Sequence, residues 1–132
     1  MLIGGCLCGA VRYRADAAPL YEPTLCHCRS CQRAAGAHAV AWCTVSLAAL
    51  RFERGEPVSF GSSPGVRRTF CGRCGTPLTY WNEKRGGEID ITVCSLDDPA
   101  RFAPADHIWT ADAVAWEPLL PTRPRFRLTR GS

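Results

Sequence analysis

Three thiols fall within six residues at Cys26-His27-Cys28-Arg29-Ser30-Cys31, too close together for ordinary core cysteines. Alternate residues of an extended segment point the same way, so Cys26 and Cys28 can face one point. A two-residue spacer then allows a tight turn to bring Cys31 round to it. Three convergent thiolates suit a soft or borderline divalent metal, with zinc the default. Three protein ligands leave a tetrahedral ion one short, and an open position marks a reactive site. Zinc bearing three thiolates carries a local formal charge of about −1 and is a poor Lewis acid towards water. It can still accept a substrate thiol and present it as thiolate. The stretch therefore points to sulfur chemistry on a small thiol before hydrolysis.

Two further pairs, Cys6/Cys8 and Cys71/Cys74, have the spacing of metal knuckles. Joined, they make a four-thiolate structural site closed over a long loop, whose closure cost rises only slowly with length. Spacing alone leaves other groupings open. The triplet could be a second structural zinc closed by His27, His38, His107, Cys43 or Cys94, or a pair could form a redox disulfide. The chain has nine cysteines, an odd number, and seven sit in C-x-C or C-x-x-C groups, which favours metal over disulfides.

The 132 residues suit one domain, 1–132, with a modest core. Twelve glycines and ten prolines point to many turns and short elements. The formal charge of +4 counts thiols as neutral. Seven bound thiolates and two zinc ions bring it to about +1, which weakens a nucleic-acid reading based on charge. No run approaches the ~20 apolar residues of a membrane span. Met1 to Cys6 has neither the basic start nor the apolar run of a secretory leader. The expectation is a cytoplasmic protein without a membrane partner; its oligomeric state stays open.

The elements that must position these thiols read as short strands. Leu2 to Cys8 is a strand entering a turn, and Val11 and Tyr13 alternate with Arg12 and Arg14. A turn and strand over 19–25 lead into the triplet, followed by one helical turn at Gln32 to Ala35 that Gly36 stops. Ala39 to Val45 is a buried strand. Leu50 to Arg54 and Val58 to Phe60 are strands either side of Gly55-Glu56-Pro57, and Ser62 to Gly65 is a turn. Val66 to Phe70 runs into the second knuckle. Thr76 to Trp81 and Glu88 to Val93 form a hairpin, the second strand alternating Ile89, Ile91 and Val93 with Glu88, Asp90 and Thr92. His107 to Thr110 is a last strand. The sum is a mainly β domain.

Gly5-Cys6-Leu7-Cys8-Gly9-Ala10-Val11-Arg12-Tyr13, the triplet followed by Gln32, and Phe70-Cys71-Gly72-Arg73-Cys74-Gly75-Thr76-Pro77-Leu78 together resemble the glutathione-dependent formaldehyde-activating family. Its domain is shared with centromere protein V. Ser95 to Pro99 and His107-Ile108-Trp109 followed by Trp116 fit the same pattern. The resemblance covers nearly the whole chain. It implies a zinc-binding β-tent of short antiparallel strands, with two zinc ions. It implies that Cys6, Cys8, Cys71 and Cys74 hold a structural zinc, and that Cys26, Cys28 and Cys31 hold a reactive one. The implied reaction joins glutathione to formaldehyde, giving S-hydroxymethylglutathione, and is that of a carbon-sulfur lyase.

Arg29, Arg33, Arg67 and Arg68 stand near the motifs as possible carboxylate partners, although such arginines are usually solvated. Cys43, beside Trp42, reads as a buried inert thiol. Cys94 reads as a core thiol, with a fourth-ligand or redox role as the sharper alternative. His27, flanked by ligands, reads as an outer or surface group, and His107 as a structural or pocket residue. Asp97 and Asp98 before Pro99 read as turn-forming. The four tryptophans read as core or pocket wall. Two other functions compete with the enzyme: a non-catalytic zinc module for protein or nucleic acid, and a thiol redox or metal sensor.

Overall fold

In β9 (Glu88–Thr92), Ile89 and Ile91 alternate with Asp90 and Thr92, and opposite faces of one strand meet two different environments. The computed structural model describes residues 1–130. The isoleucine face of β9, with Cys43 and Val45 of β4 (Val40–Ser46), joins the main core with Leu2, Tyr13 and Leu78. The other face carries Trp42, Thr44 and Asp90, which line a cavity. The cross-strand register sets this out, pairing Cys43 with Ile91 and Thr44 with Asp90. A half-buried strand was the sequence expectation, yet Asp90 and Thr92 are buried as well as the isoleucines. The cavity walls cover the face that alternation alone assigns to solvent.

Among the described residues ten strands in two sheets give the mainly β architecture that the sequence predicts. The large sheet is ordered β10-β3-β4-β9-β8-β7-β6, with β3 at Thr24–Cys26, β6 at Val58–Ser63, β7 at Val66–Phe70, β8 at Pro77–Asn82 and β10 at Asp106–Ile108. The small sheet is β1 (Leu2–Gly5), β2 (Arg12–Ala15) and β5 (Leu50–Arg54). The strands either side of Gly55-Glu56-Pro57 thus part company, β5 pairing with β2 and β6 with β7. All described pairings are antiparallel except β10 on β3. The predicted final strand, 107–110, is shorter and earlier. It ends at Ile108, because the φ of 56° at Trp109 is left-handed backbone that ladder pairing does not accept.

The two sheets meet at residues 95–97. Tyr13, 1 % exposed, donates its hydroxyl to Ser95 Oγ at 2.6 Å, and Ser95 Oγ donates to the Thr92 carbonyl at 2.9 Å. Leu96 bridges to Gly4. Asp97 holds Arg12 in a two-point ion pair at 2.9 and 2.5 Å. The chain turns at Asp97 and Asp98 as expected, but neither side chain caps the short helical segment Pro99–Phe102, and the Asp97 carboxylate goes to Arg12 of β2 instead.

The single α-helix among the described residues, α1 (Arg29–Ala35), begins three residues before its predicted start. Cys28 is its N-cap, and its sulfur accepts from the Cys31 amide at 3.3 Å, as a serine oxygen would in that position. Gly36 ends it at φ 62°, left-handed backbone where glycine carries no Cβ penalty.

Candidate metal centres and active site

The Cys6/Cys8 turn follows β1, and the Cys71/Cys74 turn lies between β7 and β8. Their four sulfurs lie within 4.8 Å of one another. Cys6 Sγ is 3.6 Å from Cys8 Sγ, and Cys8 Sγ is 3.8 Å from Cys71 Sγ. Two sulfurs about 2.3 Å from one tetrahedral zinc stand about 3.8 Å apart, so the donor set fits that ion. Backbone amides face the sulfurs: Val11 donates to Cys6 at 3.2 Å, Arg73 and Cys74 to Cys71 at 3.3 and 3.4 Å. Gly75, at φ 84°, supplies the left-handed turn that closes the second knuckle. Hydrogen bonds from the Thr76 side chain and backbone hold the Cys74 thiol down at about 5. Burial works against the Cys6 thiolate, but the Val11 amide and the neighbouring sulfurs outweigh it and lower the pKa. The Ala10 amide lowers the Cys8 thiol, but burial and the neighbouring sulfurs outweigh it and push it up to about 11, so Cys6 and Cys74 are the members readiest to meet a cation as thiolates.

The second group forms where β3 enters α1. Cys26 ends the strand, Cys28 caps the helix and Cys31 lies in its first turn. Their sulfurs also lie within 4.8 Å of one another, and among the described residues no fourth His, Cys, Asp or Glu donor joins them. Three soft donors without a fourth fit a zinc with an open position. All three line a cavity of about 600 Å³, whose wall includes Trp42, Tyr80, Asp90 and Trp109. A second hollow, of about 620 Å³, shares Cys31, Arg68 and Trp42 with the first.

Arg68 is the residue that sequence reasoning underrated. Its guanidinium lies 4.9 Å over the Tyr80 ring and points two nitrogens at Cys31 Sγ, at 3.8 and 3.7 Å. Among the described residues no carboxylate pairs with it. Contacts with the Cys26 and Cys28 sulfurs, and then Arg68, hold the Cys31 thiol down at about 5 despite its burial. The Cys31 contact, with burial, pushes the Cys26 thiol up. Of the other three arginines, Arg29 lines the first cavity and donates to Gln32 Oε1, and Arg33 lines the second hollow but not the first. Arg67 lines neither. Asp90 is held by Thr44 at 2.6 Å and Arg85 at 2.9 Å. Nothing in the sequence separates it from Glu88 and Thr92, the other polar positions of the same alternating strand.

Other expectations need correction or placement. His27 is no surface group: it is 1 % exposed and bonded to His107, Nε2 to Nδ1 at 2.9 Å. Cys94 is exposed rather than core, because the 3-10 turn Val93–Ser95 buries the residues on either side and turns it outward. It joins neither cysteine group. Cys43 is fully buried in the main core, as expected, and burial pushes its thiol up to about 11. Trp42 is buried against the triplet, whereas Trp109 and Trp116 are exposed.

A crystal structure of a Rhodobacter sphaeroides protein is similar to this chain, with a TM-score of 0.66 and 23 % identity over 80 % of this chain and 98 % of that one. At that identity the likeness speaks for the fold. No curated protein matches. No helix among the described residues is long and apolar enough to cross a membrane. Residues 1–112 match the family model described as glutathione-dependent formaldehyde-activating enzyme, and with both cysteine groups inside that span the chain belongs to this family.

Proposed function

We propose that the chain is a zinc-dependent carbon-sulfur lyase-type enzyme that joins a small thiol such as glutathione to an aldehyde such as formaldehyde. The observation that carries this reading is the convergence of the Cys26, Cys28 and Cys31 sulfurs on a cavity wall with no fourth protein donor in the group. In this reading Cys6, Cys8, Cys71 and Cys74 hold the second, structural zinc. Zinc at the triplet supplies the charge that keeps a visiting thiol deprotonated near neutral pH.

The surrounding residues supply the rest. Arg68 stabilises the Cys31 thiolate and keeps donors facing both hollows, where a substrate carboxylate or the aldehyde oxygen can be met. Trp42 and Tyr80 give the cavity apolar walls suited to a small aldehyde. The reaction forms one S–C bond, and the thiol's proton ends on the former carbonyl oxygen. A cytoplasmic setting, where glutathione is abundant, suits this chemistry.

The test is hemithioacetal formation by zinc-loaded protein, followed by NMR with glutathione and formaldehyde. Enhancement over the uncatalysed rate, lost in Cys28→Ser with the fold intact, supports the reading. A rate equal to the uncatalysed one across several thiols and aldehydes overturns it.

A further inference from the structure

The chain has three histidines, and the fold brings all of them to one place behind the cysteine triplet. His27 sits at the centre. Its ring turns away from the cavity that its neighbours Cys26 and Cys28 line. It stacks on His107 with centroids 5.1 Å apart, and His38 lies 6.4 Å away. Glu117 completes a group whose ligand atoms, one each from His27, His107 and Glu117, lie within 4.8 Å of one another.

A plain histidine pair does not account for this arrangement. The His27 ring has Nε2 directed at His107, while Nδ1 is buried with no hydrogen-bond partner. With Nδ1 unpartnered, the polar contacts of this buried ring all lie on its Nε2 side, where His107 and Glu117 converge. Its backbone is pinned on both sides: His27 N donates to the Ile108 carbonyl at 3.0 Å, and Gln32 Nε2 donates to the His27 carbonyl at 2.7 Å. The 2.9 Å between His27 Nε2 and His107 Nδ1 also matches two ligands of one ion. Nitrogens about 2.0–2.1 Å from a metal stand about 2.9 Å apart at a right angle and about 3.3 Å apart at a tetrahedral one.

We propose that His27, His107 and Glu117 form a third metal site, of nitrogen and oxygen donors, for a divalent first-row transition ion. Two imidazoles and a carboxylate are a harder donor set than either cysteine group, so the site does not compete with them for the softest ions. His107 belongs to β10 and Glu117 to the helical segment Glu117–Thr122, whose preceding residue Trp116 packs on His38 at 5.5 Å. The ion therefore ties the C-terminal segment, beyond the residues 1–112 of the family match, to the strand that carries the triplet.

The test counts zinc per chain by elemental analysis on full-length protein, loaded with zinc and freed of loose ions. His107→Ala and Glu117→Gln are each expected to bind one equivalent fewer than wild type. Glu117→Gln disturbs no strand, so a folding defect does not mask the result. With Co²⁺ in place of zinc, the equivalent lost in the variants is expected to contribute no sulfur-to-cobalt charge-transfer absorption. Equal metal counts in wild type and both variants overturn the proposal. So does a lost equivalent that carries sulfur charge transfer.

Discussion

Arg68 and Cys31 face each other directly, with the two terminal guanidinium nitrogens 3.8 and 3.7 Å from the sulfur. One residue is on β7 and the other on α1, so the contact links the large sheet to the triplet. The guanidinium helps to hold the Cys31 thiol down at about 5. A thiol with a lowered pKa keeps its metal to lower pH. In Arg68→Ala the midpoint of zinc release from the triplet is expected to rise by about one pH unit. Arg68→Lys, a point charge without the planar fork, is expected to restore part of it. A pH titration with a zinc indicator reads both. If Arg68 also meets a substrate carboxylate, Arg68→Ala raises KM for glutathione more than for 2-mercaptoethanol.

The two cysteine groups are expected to fail differently. Structural zinc contributes about 10–16 kcal/mol in zinc-finger peptides, as much as the whole stability of a typical domain. Cys71, 1 % exposed, closes the group that joins residues far apart in sequence. Cys71→Ser is expected to leave much of the protein unfolded at 25 °C, with lost β-sheet circular dichroism. Cys28→Ser is expected to keep the spectrum and lose one zinc. A folded Cys71→Ser protein with full zinc content would contradict this division of roles.

The Arg12–Asp97 pair makes a pH-dependent contribution of known sign. The Arg12 hydrogen bonds, with its charge, hold the Asp97 carboxyl below its usual range against the opposing effect of burial. A depressed carboxylate stabilises the fold above its unfolded pKa, and that stability is lost as pH falls through the folded value. Both side chains are partly exposed, so the pair is worth no more than about 1 kcal/mol. Asp97→Asn is expected to lower the urea midpoint slightly at neutral pH and to match wild type at pH 2. An equal difference at both pH values would assign the effect to packing.

Trp109 holds left-handed backbone at φ 56° while its side chain is 64 % exposed and lines the cavity. Such backbone costs a residue of this kind about 1–2 kcal/mol, and asparagine tolerates it better. Trp109→Asn is expected to be at least as stable as wild type in urea and to turn over substrate several-fold more slowly. Equal turnover would remove Trp109 from the site.

The cysteine groups were legible because their chemistry is local: C-x-C and C-x-x-C name the ligands before any fold exists. The pairing of Cys6/Cys8 with Cys71/Cys74 was one of the groupings that spacing allowed, and the family resemblance implied it. The alternation of Ile89 and Ile91 gave the core face of β9, but not that Asp90 on its other face is buried too. Contacts between distant residues left no trace. Nothing around Arg68 separates it from Arg67, yet only Arg68 reaches Cys31. His27 and His107 lie 80 residues apart. Cys94 was misread because the alternation runs out one residue before it, where a 3-10 turn replaces the strand.

The pairing of β10 beside β3 constrains how the protein can be made. Cys26, Cys28 and Cys31 are translated early, but the strand leading to them has only β4 as a neighbour until Ile108 has left the ribosome. During that interval β3 exposes an unpaired edge next to three free thiols. A nascent chain stalled before residue 106 is therefore the species most exposed to strand-edge aggregation and to oxidation of the triplet.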